Sequence, residues 1–369
     1  MLAEVTRFAS ARAHYSPQIV SFRSLDASLV SESIVDDPIL DKSNMSEGSD
    51  YLPECYLVDG FPVWKIFPVE DTRASIDYKP RDDDIFLCSF PKCGTTWALH
   101  TLALILRHGE NFGADYNVMQ SGLSLGREGL ELAKTLPRPF AFRAHLPFYL
   151  MPWSDKAKYI YVTRNPKDTA VSSYYLLKNM MGFTGTFDEY FEYFITGRIG
   201  SGDFFDHLEG WYEQRNRPNI LFVTYEEMKE DPEAAIFKMA SFVDDAKFAE
   251  PLRQDRQKLE NVLKYSSFKE MKVTINKSMD ELASKNTAKT VDGRESELSE
   301  GLKSFFSKKE GNKDAENVSE KPKSCDFVRK GIVGDWRNHF SEEQSRRLDE
   351  KFAERTKNIE MAKAWEKYM

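Results

Sequence analysis

Between residues 85 and 240 the chain alternates short apolar runs with longer stretches of helical periodicity. Ile85-Phe86-Leu87-Cys88-Ser89 is entered from the polar turn Arg81 to Asp84 and reads as a strand buried on both faces. Phe140-Ala141-Phe142-Arg143-Ala144-His145, Tyr159-Ile160-Tyr161-Val162-Thr163 and Ile220-Leu221-Phe222-Val223 read as the next three strands. Among them, Trp97, Leu99, Leu102 and Leu106 predict a helix buried on most sides. Further helices are predicted near Leu130 to Leu136, ahead of Pro137 and Pro139, from Pro166 through Leu177, over roughly residues 187–196 and 204–216, and from Pro232. Asn165 is placed as N-cap, with Pro166 first in the helix and Asp168 in its first turn. Strands alternating with helices specify an α/β fold: one domain with a parallel central sheet and helices on both faces.

The flanks differ. Residues 1–48 are rich in Ser with scattered Arg and little periodicity, the pattern of a poorly ordered extension, although Arg7, Arg12 and Arg23 among serines also fit an organellar presequence. Tyr56 to Pro68 turns aromatic and apolar, with Gly60 and Pro62 as punctuation, and reads either as a hairpin-like edge over the core or as rings lining an apolar pocket. Lys, Glu, Asp, Ser and Asn dominate residues 276 to about 325, with only Leu298, Leu302, Phe305 and Phe306 as an amphipathic patch, as in a long lid or insertion. The domain therefore spans residues 49–369. It closes with a capping box at Ser341 to Gln344 and a helix carrying Leu348, Phe352, Ile359, Ala362 and Trp365.

Charge narrows the function. A net charge of −8 argues against general nucleic-acid binding, so any anion site must be built locally. The four cysteines, at 55, 88, 93 and 325, form no paired pattern, which fits a reducing compartment and a cytoplasmic protein. No run of about 18 apolar residues offers a membrane anchor.

One stretch invites such a local site. Phe90-Pro91-Lys92-Cys93-Gly94-Thr95-Thr96-Trp97 joins the first buried strand to its helix. A strand, a tight Gly-containing loop and a helix aim free amides and a positive helix end at an anion, to which Lys92 adds charge and Thr95 and Thr96 add hydroxyls. It is not the G-x-x-x-x-G-K-S/T loop, because its Lys precedes its single Gly. Arg143 and His145 end the second strand, where open α/β sheets place their ligand crevice. Arg164 stands between the third strand and a helix N-terminus, suited to fork onto a second phosphate. Arg329-Lys330-Gly331 sets two cations before a glycine.

Taken together these segments resemble the cytosolic sulfotransferase family, whose donor is 3'-phosphoadenosine 5'-phosphosulfate (PAPS). The resemblance runs from about residue 56 to about 353 through Phe90 to Trp97, Arg143-Ala144-His145-Leu146-Pro147, Tyr161 to Asp168 with Ser172, Val223 to Pro232, Ser267 to Lys272 and Arg329 to Trp336, six segments in the family's order. It implies a P-loop-like sheet in which Lys92, Cys93, Gly94, Thr95, Thr96 and Trp97 hold the 5'-phosphosulfate, Trp97 also stacking on adenine. Arg164 and Ser172, joined by Arg329, Lys330 and Gly331, would bind the 3'-phosphate, and Tyr225, Ser266, Ser267 and Phe268 would complete the adenosine site. His145 would be the general base and Lys92 would stabilise the leaving phosphate. Arg143 stands where the family usually has Lys, and keeps the charge. No motif has metal-ligand spacing.

The expected function is therefore sulfuryl transfer to a hydroxyl, or an amine, of a small apolar acceptor. Phe148, Tyr149, Tyr174 and Tyr175 either line its pocket or belong to the core. A nucleotide kinase-like P-loop enzyme and a catalytically inactive nucleotide-binding relative are the alternatives. The family's dimer motif, K-x-x-x-T-V-x-x-x-E, aligns with Arg337, Ser341, Glu342 and Arg346, where altered charges weaken the case for a homodimer.

Overall fold

The computed structural model describes residues 52, 54–65, 67–113, 121–287 and 328–369. The extension expected over residues 1–48, the patch at Leu298 to Phe306, and Cys325 lie outside the described residues.

A hairpin opens the described chain. β1 (Cys55–Val58) pairs antiparallel with β2 (Phe61–Trp64), Val58 opposite Phe61. Asp59 and Gly60 between them both take positive φ, 51° and 81°, the geometry of a tight two-residue turn. Phe61, Val63 and Trp64 are buried in the core, as residues of a covering hairpin would be, whereas Phe67 is 45% exposed.

Five parallel strands form the central sheet: β3 (Ile85–Cys88), β4 (Leu123–Ser124), β5 (Ala141–Ala144), β6 (Lys158–Thr163) and β7 (Ile220–Thr224), in the order β4-β5-β3-β6-β7. The edge strand β4 was not foreseen, because two residues carry no period. Alternation along the strands divides the core in two. Phe86, Phe142, Tyr159 and Tyr161 face one side, where Phe142, Phe86 and Tyr159 stack across three strands at centroid distances of 5.5 and 4.9 Å. Ile85, Leu87, Ala141, Ile160, Val162 and Val223 face the other.

The helices follow in chain order as α1 (Val69–Asp77), α2 (Thr95–Leu106), α3 (Arg127–Leu132), α4 (Pro166–Met180), α5 (Phe187–Ile195) and α6 (Phe204–Tyr212). Then come α7 (Tyr225–Glu230), α8 (Pro232–Asp244), α9 (Glu250–Gln254), α10 (Arg256–Tyr265), α11 (Phe268–Thr287) and α12 (Glu342–Thr356). Helices α4, α5, α6 and α12 cover the aromatic face, and α2, α8 and α10 cover the aliphatic one. The helix expected near Leu130 to Leu136 is α3, and its expected last residues form single turns before Pro137, Lys134 N donating to Glu131 O and Thr135 N to Leu132 O. The polar stretch expected from residue 276 opens as helix, since α11 runs to Thr287 with Met271 and Ile275 buried beneath it. Asn165 and Ser341 cap α4 and α12 as expected. The last helix stops at Thr356, and the short 3-10 segment Glu360–Trp365 carries on, burying Trp365 completely.

Candidate active site

The carboxyl ends of β3, β5, β6 and β7 point to one edge of the sheet, and each leads directly into predicted site residues. β3 runs into the Lys92–Trp97 loop, β5 into His145, β6 into Arg164 and β7 into Tyr225. Because the strands are parallel, four distant sequence segments meet at one crevice.

The loop after β3 turns through two left-handed residues, Lys92 at φ 72° and Gly94 at φ 99°. Glycine is required at the second: a Cβ there would lie 2.7 Å from Tyr225 Cδ2. Gly94 also serves as N-cap of α2 and so offers no side-chain acceptor to the first amides of that helix, which remain directed at the crevice. Thr95 Oγ1 lies 2.6 Å from Ser89 Oγ, and buried Cys93 places its sulfur 3.7 Å from Thr169 Oγ1. Cys88 and Cys93 carry free thiols, and burial pushes the Cys93 thiol up to about 12, so it stays protonated.

His145 is fixed through Ser89. Its Nδ1 lies 2.9 Å from the Ser89 carbonyl oxygen and 3.3 Å from Ser89 Oγ. A carbonyl can only accept, so Nδ1 carries the proton and Nε2 presents the lone pair. Behind it, Tyr161 Oη and His207 Nδ1 are 2.9 Å apart, and His207 Nε2 lies 3.3 Å from the His145 carbonyl oxygen. His207 Nε2 therefore donates to that carbonyl, and Tyr161 donates to His207 Nδ1. Burial first, then the Arg143 charge and that of Lys92, push His145 down to about 4 and keep it neutral at physiological pH. Arg143 lies two residues earlier on the same sheet face, and its guanidinium donates to Ser124 Oγ on the edge strand.

Arg164 is 8% exposed. Its guanidinium lies 4.3 Å over the Tyr225 ring, Nη2 donates to the Ile332 carbonyl at 3.0 Å, and Asp168 Oδ2 lies 3.6 Å away. Its Nε is buried and finds no acceptor among the described residues. A buried guanidinium with an unanswered donor fits an anion arriving from the crevice. Ser172 lies half-buried on α4, two turns beyond Arg164.

The residues expected at an adenosine site also come together. The Trp97 indole donates to the Ser266 carbonyl at 2.8 Å, and the Trp97 and Tyr225 rings meet edge to face at 5.3 Å. Ser266 Oγ donates to Val262 O, while Ser267 Oγ accepts from the Glu270 amide. Gly331, at φ 64°, packs so closely on Phe268 that a Cβ would fall 2.2 Å from its ring. Arg329 lies 4.5 Å over Tyr175 and, like Lys330, is ion-paired to the buried Asp335. Both cations are thus tied to a carboxylate of their own segment.

Sequence reasoning placed Asp168 only as a first-turn acid and gave Glu226 no role, and so missed how these carboxylates hold the parts together. Asp168 accepts from the Gly334 and Trp336 amides at 2.7 and 3.0 Å, locking the residue 328–336 segment against α4. Glu226 accepts from the Asn165 amide at 3.0 Å, from Asn165 Nδ2 at 2.8 Å and from the Trp365 indole at 3.0 Å. Only their presence inside the Tyr161–Asp168 and Val223–Pro232 segments could have signalled them. Of the candidate acceptor rings, Tyr174 is core, Phe148 packs on Trp153 and Trp211, Tyr175 underlies Arg329, and Tyr149 is exposed. Arg346, in the altered dimer motif, is engaged within its own helix by Glu343 and Glu350. Among the described residues no helix is long and apolar enough to cross a membrane, and no cluster of three or more His, Cys, Asp or Glu is placed to hold a metal.

Known proteins share both sequence and architecture. The sequence model of the Sulfotransferase domain family matches residues 82–313 and 292–360. A rabbit protein named Sulfotransferase 1C2 is 32% identical over 321 residues, 82% of this chain and 92% of its own. A rabbit Amine sulfotransferase is 30% identical over 300 residues, 79% of this chain and 86% of its own. A mouse sulfotransferase crystallised with PAP superposes with a TM-score of 0.58 at 26% identity, over 85% of this chain and 98% of the other. Retinol dehydratase, solved with androsterone and PAP, shares the fold with a TM-score of 0.62 at 20% identity, over 82% of this chain and 88% of the other. On the family match and these identities, the chain belongs to the sulfotransferase family.

Proposed function

We propose that the chain moves the sulfuryl group of PAPS onto a hydroxyl, or an amine, of a small and largely apolar acceptor, in a reducing, cytoplasmic setting. The observation that carries this reading is Ser89, whose hydroxyl meets Thr95 of the anion loop at 2.6 Å while its carbonyl fixes His145 at 2.9 Å. Anion cradle and base are thereby held as one unit.

In the reaction, the acceptor oxygen or nitrogen forms a bond to sulfur as the bond from sulfur to the 5'-phosphate oxygen breaks. The acceptor proton passes to His145 Nε2, and the electron pair of the broken bond stays on the leaving phosphate, where Lys92 and the first amides of α2 meet the growing charge. The imidazole is poised by its Nδ1 bond to Ser89, and the Arg143 charge supports its neutral form. Arg164, with its unanswered Nε, Ser172 and the Arg329-Lys330-Gly331 segment would hold the 3'-phosphate. Trp97, Tyr225, Ser266, Ser267 and Phe268 would hold the adenosine.

A panel of phenols, sterols, primary alcohols and amines with labelled PAPS tests the activity and identifies the acceptor. In the same assay, His145→Ala is expected to lose turnover by about a hundredfold or more while retaining affinity for adenosine 3',5'-bisphosphate, the product left when PAPS gives up its sulfuryl group. Equal rates in the two proteins would discard His145 as the base.

A further inference from the structure

Lys229 has no part in the reaction as described. It lies on α7 one turn after Tyr225, so the two side chains share a side of that helix. Its ammonium sits 5.5 Å from the centre of the Trp97 ring and 5.6 Å from the centre of the Phe268 ring. Both rings are held in place. Trp97 is fixed by its indole bond to Ser266, two residues before Phe268, and Phe268 is fixed by the close approach of Gly331.

The surroundings form a row of alternating charge and ring: Arg164 over Tyr225, Tyr225 against Trp97, then Lys229 reaching both Trp97 and Phe268. Within this row the two cations are not equivalent. Arg164 reaches Asp168 and the Ile332 carbonyl, whereas Lys229 makes no hydrogen bond or ion pair with the described residues. Two π faces attract its charge but leave the directional N–H donors without lone pairs. Burial, and behind it the Arg164 charge, already lower its pKa from the usual lysine range. A half-buried ammonium in that position is served best by a neutral acceptor carried on a flat ring, because the ring faces can stack on it while its lone pair meets the donors.

We propose that Lys229 reads the base of the donor: its ammonium donates to a ring nitrogen of the adenine that Trp97 and Phe268 receive. This rests on the PAPS reading above and adds to it a residue for base recognition.

The test uses the full chain, wild type and Lys229→Met, which keeps the length of the side chain and removes its donors. Calorimetry gives the affinity for adenosine 3',5'-bisphosphate, and competition gives that for ribose 3,5-bisphosphate, which has both phosphates and no base. Lys229→Met is expected to weaken the adenosine compound about tenfold and the ribose compound less than twofold. Unchanged affinity for the adenosine compound would overturn the proposal. So would parallel losses for both ligands, which would mean that Lys229 meets a phosphate or serves only the fold. A wild type that fails to bind adenosine 3',5'-bisphosphate would instead refute the donor reading, a result separable from a binding wild type matched by its variant.

Discussion

Acidification should destabilise this protein before most of its carboxylates titrate, because two imidazoles buried in the fold and a third half-buried at the crevice are held neutral. His100, 5% exposed on α2 with Nδ1 3.0 Å from Ser121 Oγ, is pushed down to about 4 by burial. His145 is pushed down to about 4 by burial and then by Arg143, and His207, 2% exposed, to about 3, again chiefly by burial. In the unfolded chain each titrates near 6.5. As pH falls the unfolded chain therefore takes up protons first, so the stability is whole above about pH 6.5 and drains away toward about pH 4. At pH 5 each imidazole costs about 2 kcal/mol, or about 6 kcal/mol for the three, against a total domain stability of roughly 5–15 kcal/mol. Glu226, whose burial raises its carboxyl, works in the opposite sense, and His339, lowered by burial, adds to the three. Urea midpoints at pH 7.5, 6.5, 5.5 and 5.0 at constant ionic strength measure the effect, and His207→Asn should flatten the slope by about a third. Stability that stays level between pH 7 and pH 5 would overturn this account, because imidazoles held neutral by the fold cannot be indifferent to protons that the unfolded chain binds.

Two substitutions test the crevice itself. Arg164→Met removes a guanidinium that is 8% exposed and should weaken adenosine 3',5'-bisphosphate about thirty- to a hundredfold while sparing adenosine 5'-phosphate; equal losses in calorimetry would detach Arg164 from the 3'-phosphate. Gly94→Ala puts a Cβ at φ 99° and 2.7 Å from Tyr225, which should cost about 1–3 kcal/mol in denaturant unfolding and slow turnover; an unchanged midpoint would show that the loop relaxes freely.

The parts of the fold that bury a continuous period could be read from the chain. β3, β5, β6 and β7 are runs of apolar residues long enough to show as strands, and the caps at Asn165 and Ser341 have local chemistry that leaves little choice. β4 could not be read, since Leu123 and Ser124 are recruited to the edge by their pairing with Phe142 and Arg143. The same held at the site. Lys92, His145 and Arg164 lie in motifs whose order matches the family, so they could be named from the chain. The Ser89 bridge to His145, the His207 support behind it and the Asp168 lock on residues 334 and 336 depend on contacts between elements, which spacing along a chain does not encode.

On the proposed function, those contacts would also let a chain of net charge −8 build a site for a multiply charged anion. Lys92, Arg143, Arg164, Lys229, Arg329 and Lys330 are gathered at the crevice, and on their own would repel one another and stay in water. Buried carboxylates hold part of the set. Burial alone would raise the Asp335 carboxyl, but hydrogen bonds from Lys330, Arg329 and Asn338 hold it well below the usual range, so it stays charged and keeps both cations in place. Asp168 lies 3.6 Å from Arg164, and Glu226 holds the Asn165 amide beside it. Partial neutralisation of this kind leaves the crevice positive without leaving each cation bare. An arriving phosphate would then meet the unanswered Arg164 Nε directly, and at Arg329 and Lys330 would compete with Asp335 already in position. That arrangement favours fixed geometry over the tightest grip, which suits a site that must let a bisphosphate product leave after each turnover.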